Sequence, residues 1–119
     1  MCTTTIEMVS YRLKAGISID DLRATHAGIN AFCLAQPGFL YRSISQDEHQ
    51  TWFDVVYWKS MDDANAAGEA FMQNSAGQVL ASLIDNNTMQ MRHMLADAEA
   101  YPQMLAMYAS HPSSETKSL

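Results

Sequence analysis

A histidine at position 26 lies on a face that is otherwise apolar. His26 recurs with Leu22, Ile29 and Cys33 at the spacing of one helical stripe. An imidazole beneath such a helix would serve as a general base, or as a hydrogen-bonding group toward a substrate. The alternative is a neutral core histidine whose ring nitrogens meet backbone and side-chain partners. His26 is therefore a candidate catalytic residue with a structural alternative.

A carboxylate lies in the most apolar strand pattern of the chain. Asp54 falls between Trp52 and Val56, and burying it is costly unless it is protonated or paired. One interpretation is an acid–base group whose pKa is raised in an apolar pocket. The other is a salt bridge or hydrogen bond with Arg42, Arg92 or a backbone amide, within one chain or across a dimer.

A second histidine alternates with methionines near the end of the last predicted strand. His93 follows Met89 and Met91 at a spacing of two, and it would meet Asp54 if their two faces coincide. An Asp–His pair would orient a base for removing a proton from a phenol or an activated carbon. The alternative is a structural histidine on a packed strand.

Several aromatic side chains are candidates for the walls of a pocket. Trp52, Trp58, Tyr57 and Tyr11 lie on predicted strands, where they would stack on a flat aromatic ligand. The alternative places them in the core or in a dimer interface. Cys33, on the buried stripe, is expected to line the same pocket as a small apolar group and not as a nucleophile.

Composition excludes several classes of protein. The 119 residues fit one domain, and a net charge of −6 argues against nucleic-acid binding, which requires a basic face. No apolar run approaches the roughly 18 residues that span a bilayer, so we expect no membrane partner and no secretory signal. Two cysteines form neither a disulfide framework nor a metal knuckle. We expect a cytoplasmic protein without metal or cofactor, since no phosphate-binding glycine loop or metal-ligand spacing is present.

The elements that would position these residues alternate along the chain. Strand patterns cover residues 4–13, 39–45, 51–59 and 88–95. Helical patterns run from a cap at Ser18 to a stop at Pro37-Gly38, and over 61–71 and 76–84. The order β-α-β-β-α-(α)-β predicts an α+β, ferredoxin-like fold, a four-stranded antiparallel sheet with helices on one face. We place this domain at residues 1–96, followed at 97–119 by an extension with a short helix and a mobile tail.

The uncovered face of this sheet predicts a homodimer. It would carry either Phe53, Val55 and Tyr57 or the two tryptophans, and both sets are too apolar to face water. Two sheets packed face to face would bury this surface in an isologous dimer.

Three segments resemble the antibiotic biosynthesis monooxygenase-like domains of the dimeric α/β-barrel superfamily. They are Pro37-Gly38-Phe39-Leu40, the strand Trp52-Phe53-Asp54-Val55-Val56-Tyr57-Trp58-Lys59-Ser60, and the alanine-rich helix from Ala64. The resemblance covers residues 6–95. It implies the dimeric barrel fold, but the superfamily includes oxygenases, haem-degrading enzymes, dehydratases and isomerases, so it does not specify one reaction.

The haem-degrading members of that superfamily provide a test. They resemble this chain at Trp58-Lys59-Ser60, but they supply an axial histidine from the following helix and an asparagine from the first strand. Residues 61–84 contain no histidine, and the first strand offers Glu7 and Ser10 instead of asparagine. Because haem iron needs an axial group, haem degradation is not expected.

Two functions remain. The first is a small cofactor-independent monooxygenase-like enzyme that oxygenates an aromatic or polyketide-like molecule with the help of a base. The second is a non-catalytic dimeric domain for ligand binding or structure. The enzyme requires a closed, mostly apolar cavity of about 300 Å³ or more on which at least two of His26, Asp54 and His93 converge. Continuous packing between helix and sheet would favour the second function.

Overall fold

The computed structural model describes residues 3–102, and it confirms the predicted α+β, ferredoxin-like fold. The elements follow the predicted order, with the first predicted helix divided in two. The strands are β1 (Thr5–Tyr11), β2 (Phe39–Gln46), β3 (Trp52–Trp58) and β4 (Gln90–Leu95). The helices are α1 (Ile19–Arg23), α2 (His26–Leu34), α3 (Met61–Met72) and α4 (Ser75–Leu83), and one 3₁₀ turn spans Asn86–Thr88.

The four strands form one antiparallel sheet in the order β2-β3-β1-β4. The register sets Val9 of β1 opposite Asp54 of β3 on one side and opposite Met91 of β4 on the other. In the neighbouring row, Glu7 lies between Val56 and His93. Apart from His93, the residues of these two rows form the floor of the cavity described below.

The alternation along β3 assigns the two faces of the sheet. Trp52 and Trp58 are buried on the side of the helices, whereas Phe53, Val55 and Tyr57 are only partly buried on the other side. Of the two alternatives for the uncovered face, the structure therefore selects the set without the tryptophans.

The first predicted helix is interrupted where the sequence pattern is continuous. Ser18 caps α1 as predicted, since its hydroxyl accepts from the backbone of Asp21 and the Asp21 carboxylate accepts in return. The helix then stops before Thr25, which is buried and whose hydroxyl donates to the Leu22 carbonyl at 2.6 Å. This local bond competes with helix continuation, so α2 begins anew at His26.

Close contacts position α3 and α4 over the sheet. Gly38 has a φ of +79°, and a side chain there would collide with Asp63 near the start of α3. Ser60 and Asn74 cap α3 and α4 by accepting backbone N–H groups. Gly77 packs against the backbone of Phe71, which brings the two helices together.

The last strand begins later than predicted and remains exposed. Residues 86–88 form a 3₁₀ turn capped by Asp85, so β4 starts at Gln90 instead of position 88. All six residues of β4 are exposed. Within residues 3–102, no helix is long and apolar enough to cross a membrane. The predicted C-terminal helix and tail lie, from residue 103 onward, outside the described residues.

Candidate functional site

A cavity of about 360 Å³ lies between the helix side of the sheet and helices α2, α3 and α4. Its volume fits a small molecule and meets the value that the enzyme hypothesis requires. The cavity is not closed, however, and of the three candidate acid–base residues only Asp54 lines it, where at least two were required. Most of its walls are apolar side chains from both layers. The lining comprises Glu7, Val9, Tyr11, Ile29, Phe32, Cys33, Arg42, Asp54, Val56, Trp58, Ala67, Gly68, Phe71, Met72, Leu80, Ala81, Ile84, Asn86, Met89 and Met91.

Glu7 is a carboxyl group set among apolar side chains in this cavity. The indole Nε1 of Trp58 donates to its Oε1 at 3.0 Å. No arginine or lysine of the described part of the chain forms a salt bridge with Glu7. Burial raises its pKa above the ordinary value of 4.5; the indole bond and His93 oppose the rise, while the charge of Asp54 adds to it. Glu7 is therefore a carboxylate that accepts a proton more readily than one in water.

Asp54 lines the same cavity as one half of a buried salt bridge. Both of its carboxylate oxygens accept from Arg42, whose Nε and Nη2 lie at 3.0 and 2.7 Å. The side chains are 4% exposed for Arg42 and 11% for Asp54. The remaining nitrogen of Arg42, Nη1, donates to Asn30 Oδ1 at 2.8 Å. Of the two interpretations of Asp54, the geometry favours the salt bridge with Arg42.

Tyr11 and Cys33 add two weakly acidic groups to the inner end of the cavity. Tyr11 is 1% exposed, and its buried hydroxyl has no hydrogen-bond partner among residues 3–102. Burial raises the pKa of this phenol, as does the charge of Asp54. Burial also raises the pKa of the Cys33 thiol to about 11. Both groups therefore stay protonated at neutral pH, as hydrogen-bond donors and not as nucleophiles.

His26 lies at the first residue of α2 and is not part of the cavity lining. Burial lowers the pKa of its imidazole, and the charges of Arg42 and Arg23 lower it further against the opposing effect of Asp54. Its ring Nδ1 is buried without a partner within the described residues. The catalytic role of His26 stays a prediction, and this position outside the lining does not support it.

His93 and Trp52 also lie outside the lining. His93 is exposed on the edge strand β4, and it faces Glu7 and not Asp54 across the sheet. Trp52 is buried in the core with Tyr11 and Leu22. The predicted pairing of Asp54 with His93 is therefore replaced by the neighbours Glu7 and His93 and by the salt bridge to Arg42. The predicted roles, a catalytic base for His93 and a substrate-binding wall for Trp52, stay predictions, and the positions of both residues outside the cavity do not favour them.

Of the eight predicted site residues, the structure brings Asp54, Trp58, Tyr11 and Cys33 into one cavity. Tyr57 lies on the opposite face of the sheet and does not line it. The residue that the sequence analysis did not single out is Glu7. A signal was available, because Glu7 shares the alternating face of Tyr11 on the first strand, where Val9 separates them. Like Asp54, Glu7 is therefore a carboxylate on an otherwise apolar strand face.

The arrangement can bind a flat apolar molecule and exchange a proton with it. Glu7, the third residue of β1, can accept a proton, and the Cα of Tyr11 lies about 13 Å away, four residues along the same strand. Between them the floor is apolar. Within residues 3–102, no three His, Cys, Asp or Glu side chains are grouped to hold a metal ion.

Comparison with known proteins connects this architecture to solved structures alone. No family model matches the chain, and no curated protein matches it. SnoaB from Streptomyces nogalater, a cofactor-independent oxygenase, superposes with a TM-score of 0.59 at 14% identity, over 85% of this chain and 98% of its own. A candidate antibiotic biosynthesis monooxygenase from Bordetella bronchiseptica superposes with a TM-score of 0.66 at 16% identity, over 83% and 99%.

The fold is that of the antibiotic biosynthesis monooxygenase-type proteins. A dimeric ferredoxin-like protein of unknown function from Thermobifida fusca has the same architecture, with a TM-score of 0.67 at 10% identity over 81% of this chain and 93% of its own. The expected resemblance is thus confirmed at the level of the fold. Identities this low carry no residue roles, so only the cavity of this chain can indicate which chemistry it performs.

Proposed function

We propose that this protein is a cofactor-independent oxygenase that acts on a flat aromatic or polyketide-like molecule. The observation that carries the proposal is Glu7, a carboxyl group without a cationic partner in the described chain, in an apolar cavity large enough for such a molecule. The oxygenase named among the structural neighbours is consistent with it. A cytoplasmic location, expected from the cysteine usage, is part of the same proposal.

In this mechanism Glu7 removes a proton from an activated carbon of the substrate. A methylene group conjugated to a phenol and a carbonyl loses its proton readily, since the resulting charge spreads over the ring system. The raised pKa of Glu7 strengthens it as a base. Trp58 fixes one carboxylate oxygen through its N–H group, which leaves the other oxygen free for the substrate.

The substrate anion then reacts directly with dioxygen. The carbon forms a bond to one oxygen atom, a second proton is lost, and cleavage of the O–O bond releases water and leaves a carbonyl. The methylene carbon supplies all four electrons that dioxygen takes up, with one oxygen atom in the new carbonyl and the other in water. The step therefore needs no external reductant, and Glu7 returns the proton it has taken.

The other polar groups of the cavity position the substrate. Asp54 directs both oxygens toward Arg42, so we assign it the role of a fixed charge that raises the proton affinity of Glu7 and not that of a base. The Tyr11 hydroxyl is buried without a partner in residues 3–102, so it would donate to an acceptor oxygen of the substrate only if the surrounding side chains move apart on binding.

The second candidate is a non-catalytic dimeric binding domain. It is favoured by one observation, namely that two of the three predicted acid–base residues, His26 and His93, lie outside the cavity lining. In this case the cavity would hold a ligand without altering it. For both functions we propose a homodimer through the outer sheet face, which holds Phe53, Val55 and Tyr57 away from the cavity.

Oxygen uptake with 1,8-dihydroxyanthrone tests the oxygenase. This flat tricyclic molecule carries an activated methylene, and its product would be 1,8-dihydroxyanthraquinone. Above the non-enzymatic background, we expect uptake that falls by about 100-fold or more in Glu7→Gln, the usual effect of removing a general base. The amide keeps the size of the side chain and an oxygen for the Trp58 N–H group.

Two variants serve as controls. Glu69→Gln removes an exposed carboxylate from α3, and His26→Ala removes the histidine outside the lining; both should retain full uptake. Full activity in Glu7→Gln would exclude Glu7 as the base. If the wild-type protein binds the tricyclic compounds but consumes no oxygen with any anthrone or hydroquinone tested, the binding domain is the better account.

A further inference from the structure

The walls of the cavity change from buried to exposed along one direction. Tyr11, Cys33 and Asp54, at the inner end, are buried. The exposed lining residues all come from the C-terminal half of the chain, on α3, α4, the 3₁₀ turn and β4. They are Gly68, Met72, Ala81, Asn86, Met89 and Met91. The cavity therefore opens to solvent between these helices and the edge strand.

Gly68 lies at this opening without a packing reason for its small size. A glycine inside a helix is destabilising relative to alanine. At Gly77 such a cost has a cause, because an added Cβ would meet the backbone of Phe71. At Gly68 an added Cβ would meet nothing within 4 Å, and its φ is not positive. What its missing side chain leaves free is the space in front of the cavity.

Three methionines surround the same opening. Met72 is 75% exposed, Met91 54% and Met89 42%, although each is a large apolar side chain. Single exposed apolar residues are common, but several around one concave site mark a surface that contacts apolar ligands. Methionine is unbranched and flexible, so it can move aside for a ring and close behind it.

We propose that substrate reaches the cavity between α3 and β4, through an opening that Gly68 keeps clear and that Met72, Met89 and Met91 frame. The opening admits a flat aromatic molecule edge-on and controls how fast it enters and leaves. This proposal rests on the proposed function in one respect, since it takes the cavity to be a site for flat aromatic ligands.

Stopped-flow binding of 1,8-dihydroxyanthraquinone tests this opening. The reporter is the fluorescence of Trp58, which lines the cavity; Trp58→Phe identifies the signal. In Gly68→Leu we expect association and dissociation rate constants to fall together by roughly tenfold, as when passage waits for a side chain to move. Leucine favours the helix over glycine, so the variant should be at least as stable as the wild type.

Ala66→Leu is the matched control, since Ala66 is exposed on the same helix and does not line the cavity. It should leave both rate constants unchanged. The opposite change, Met72→Ala with Met89→Ala, widens the opening and should raise both rate constants. Thermal unfolding of each variant verifies that it is folded.

The outcomes separate this inference from the proposed function. Unchanged rate constants in Gly68→Leu would show that position 68 lies outside the route. Slower association combined with faster dissociation would show that position 68 is only a wall of the cavity. Either result overturns the opening and leaves the oxygenase standing. If both rate constants fall in Gly68→Leu but the wild-type protein consumes no oxygen, the opening is supported and the oxygenase is excluded. If the wild-type protein binds no tricyclic ligand, both fail.

Discussion

At the scale of single residues, the charge of Glu7 links stability to pH. Burial is the main cause that raises its pKa in the folded protein above the ordinary 4.5. Between 4.5 and the raised value the folded protein therefore holds more protons than the unfolded chain. In that window the free energy of unfolding contributed by Glu7 falls as pH rises. Below 4.5 the group is protonated in both states, so its contribution to the free energy of unfolding no longer changes with pH.

Glu7→Gln should remove this pH dependence. In urea unfolding at several pH values, we expect the variant to be more stable than the wild type at neutral pH. The difference should shrink as pH is lowered toward 4.5. Glu69→Gln, at an exposed position, should follow the wild type throughout. A Glu7→Gln variant that is less stable at neutral pH would mean that the carboxylate stabilises the fold.

The same residue shows what the sequence can and cannot predict about the site. Tyr11, Trp58 and Asp54 were predicted because aromatic residues and a carboxylate alternate on strands. Their convergence on one cavity depends on the register between β1 and β3, and the alternation does not contain that register. Whether Glu7 and His26 line the cavity depends further on where α2 and α3 pack, and no local sequence pattern encodes this packing.

At the scale of elements, the salt bridge between Arg42 and Asp54 connects β2, β3 and α2, the last through Asn30. Asp54→Asn would leave the guanidinium buried without its counter-charge. We expect a loss of about 3 kcal/mol in the free energy of unfolding, measured in urea. The double variant Arg42→Gln with Asp54→Asn should be more stable than Asp54→Asn alone, since no uncompensated charge remains.

An exposed pair provides the comparison for that experiment. Asp20 and Arg23 lie 3.6 Å apart on the surface of α1. Asp20→Asn should cost less than about 1 kcal/mol, as is usual for solvated ion pairs. Equal costs for Asp20→Asn and Asp54→Asn would contradict a special contribution of the buried pair.

Elements with strong periodicity were predictable from the sequence, and their interruptions were not. The alternation of residues 52–58 predicts β3 because both faces of a central strand are packed. The stripe from Leu22 to Cys33 continues across Thr25 without a change of period, so it predicts one helix. The break arises from a single hydroxyl that bonds to the Leu22 carbonyl, a geometry that periodicity does not report.

At the scale of the whole molecule, the cavity and the proposed dimer interface lie on opposite sides of one sheet. Glu7 and Val9 face the cavity, whereas Ile6, Met8 and Val55 face outward. On the outward side Tyr41 and Tyr57 pack edge-to-face with ring centroids 6.0 Å apart. Because the two surfaces are separate, we expect a substitution in one of them to leave the other intact.

Val55→Lys places a charge at the centre of the outer face and should convert the dimer to a monomer. Sedimentation velocity measures this, and we expect the wild type to sediment as a dimer. Val79→Lys makes the same change at an exposed valine of α4 and should leave the dimer intact. Since Val55 faces away from the cavity, the monomer should still bind 1,8-dihydroxyanthraquinone. A wild-type monomer, or a dimer that survives Val55→Lys, would show that this face does not join two copies.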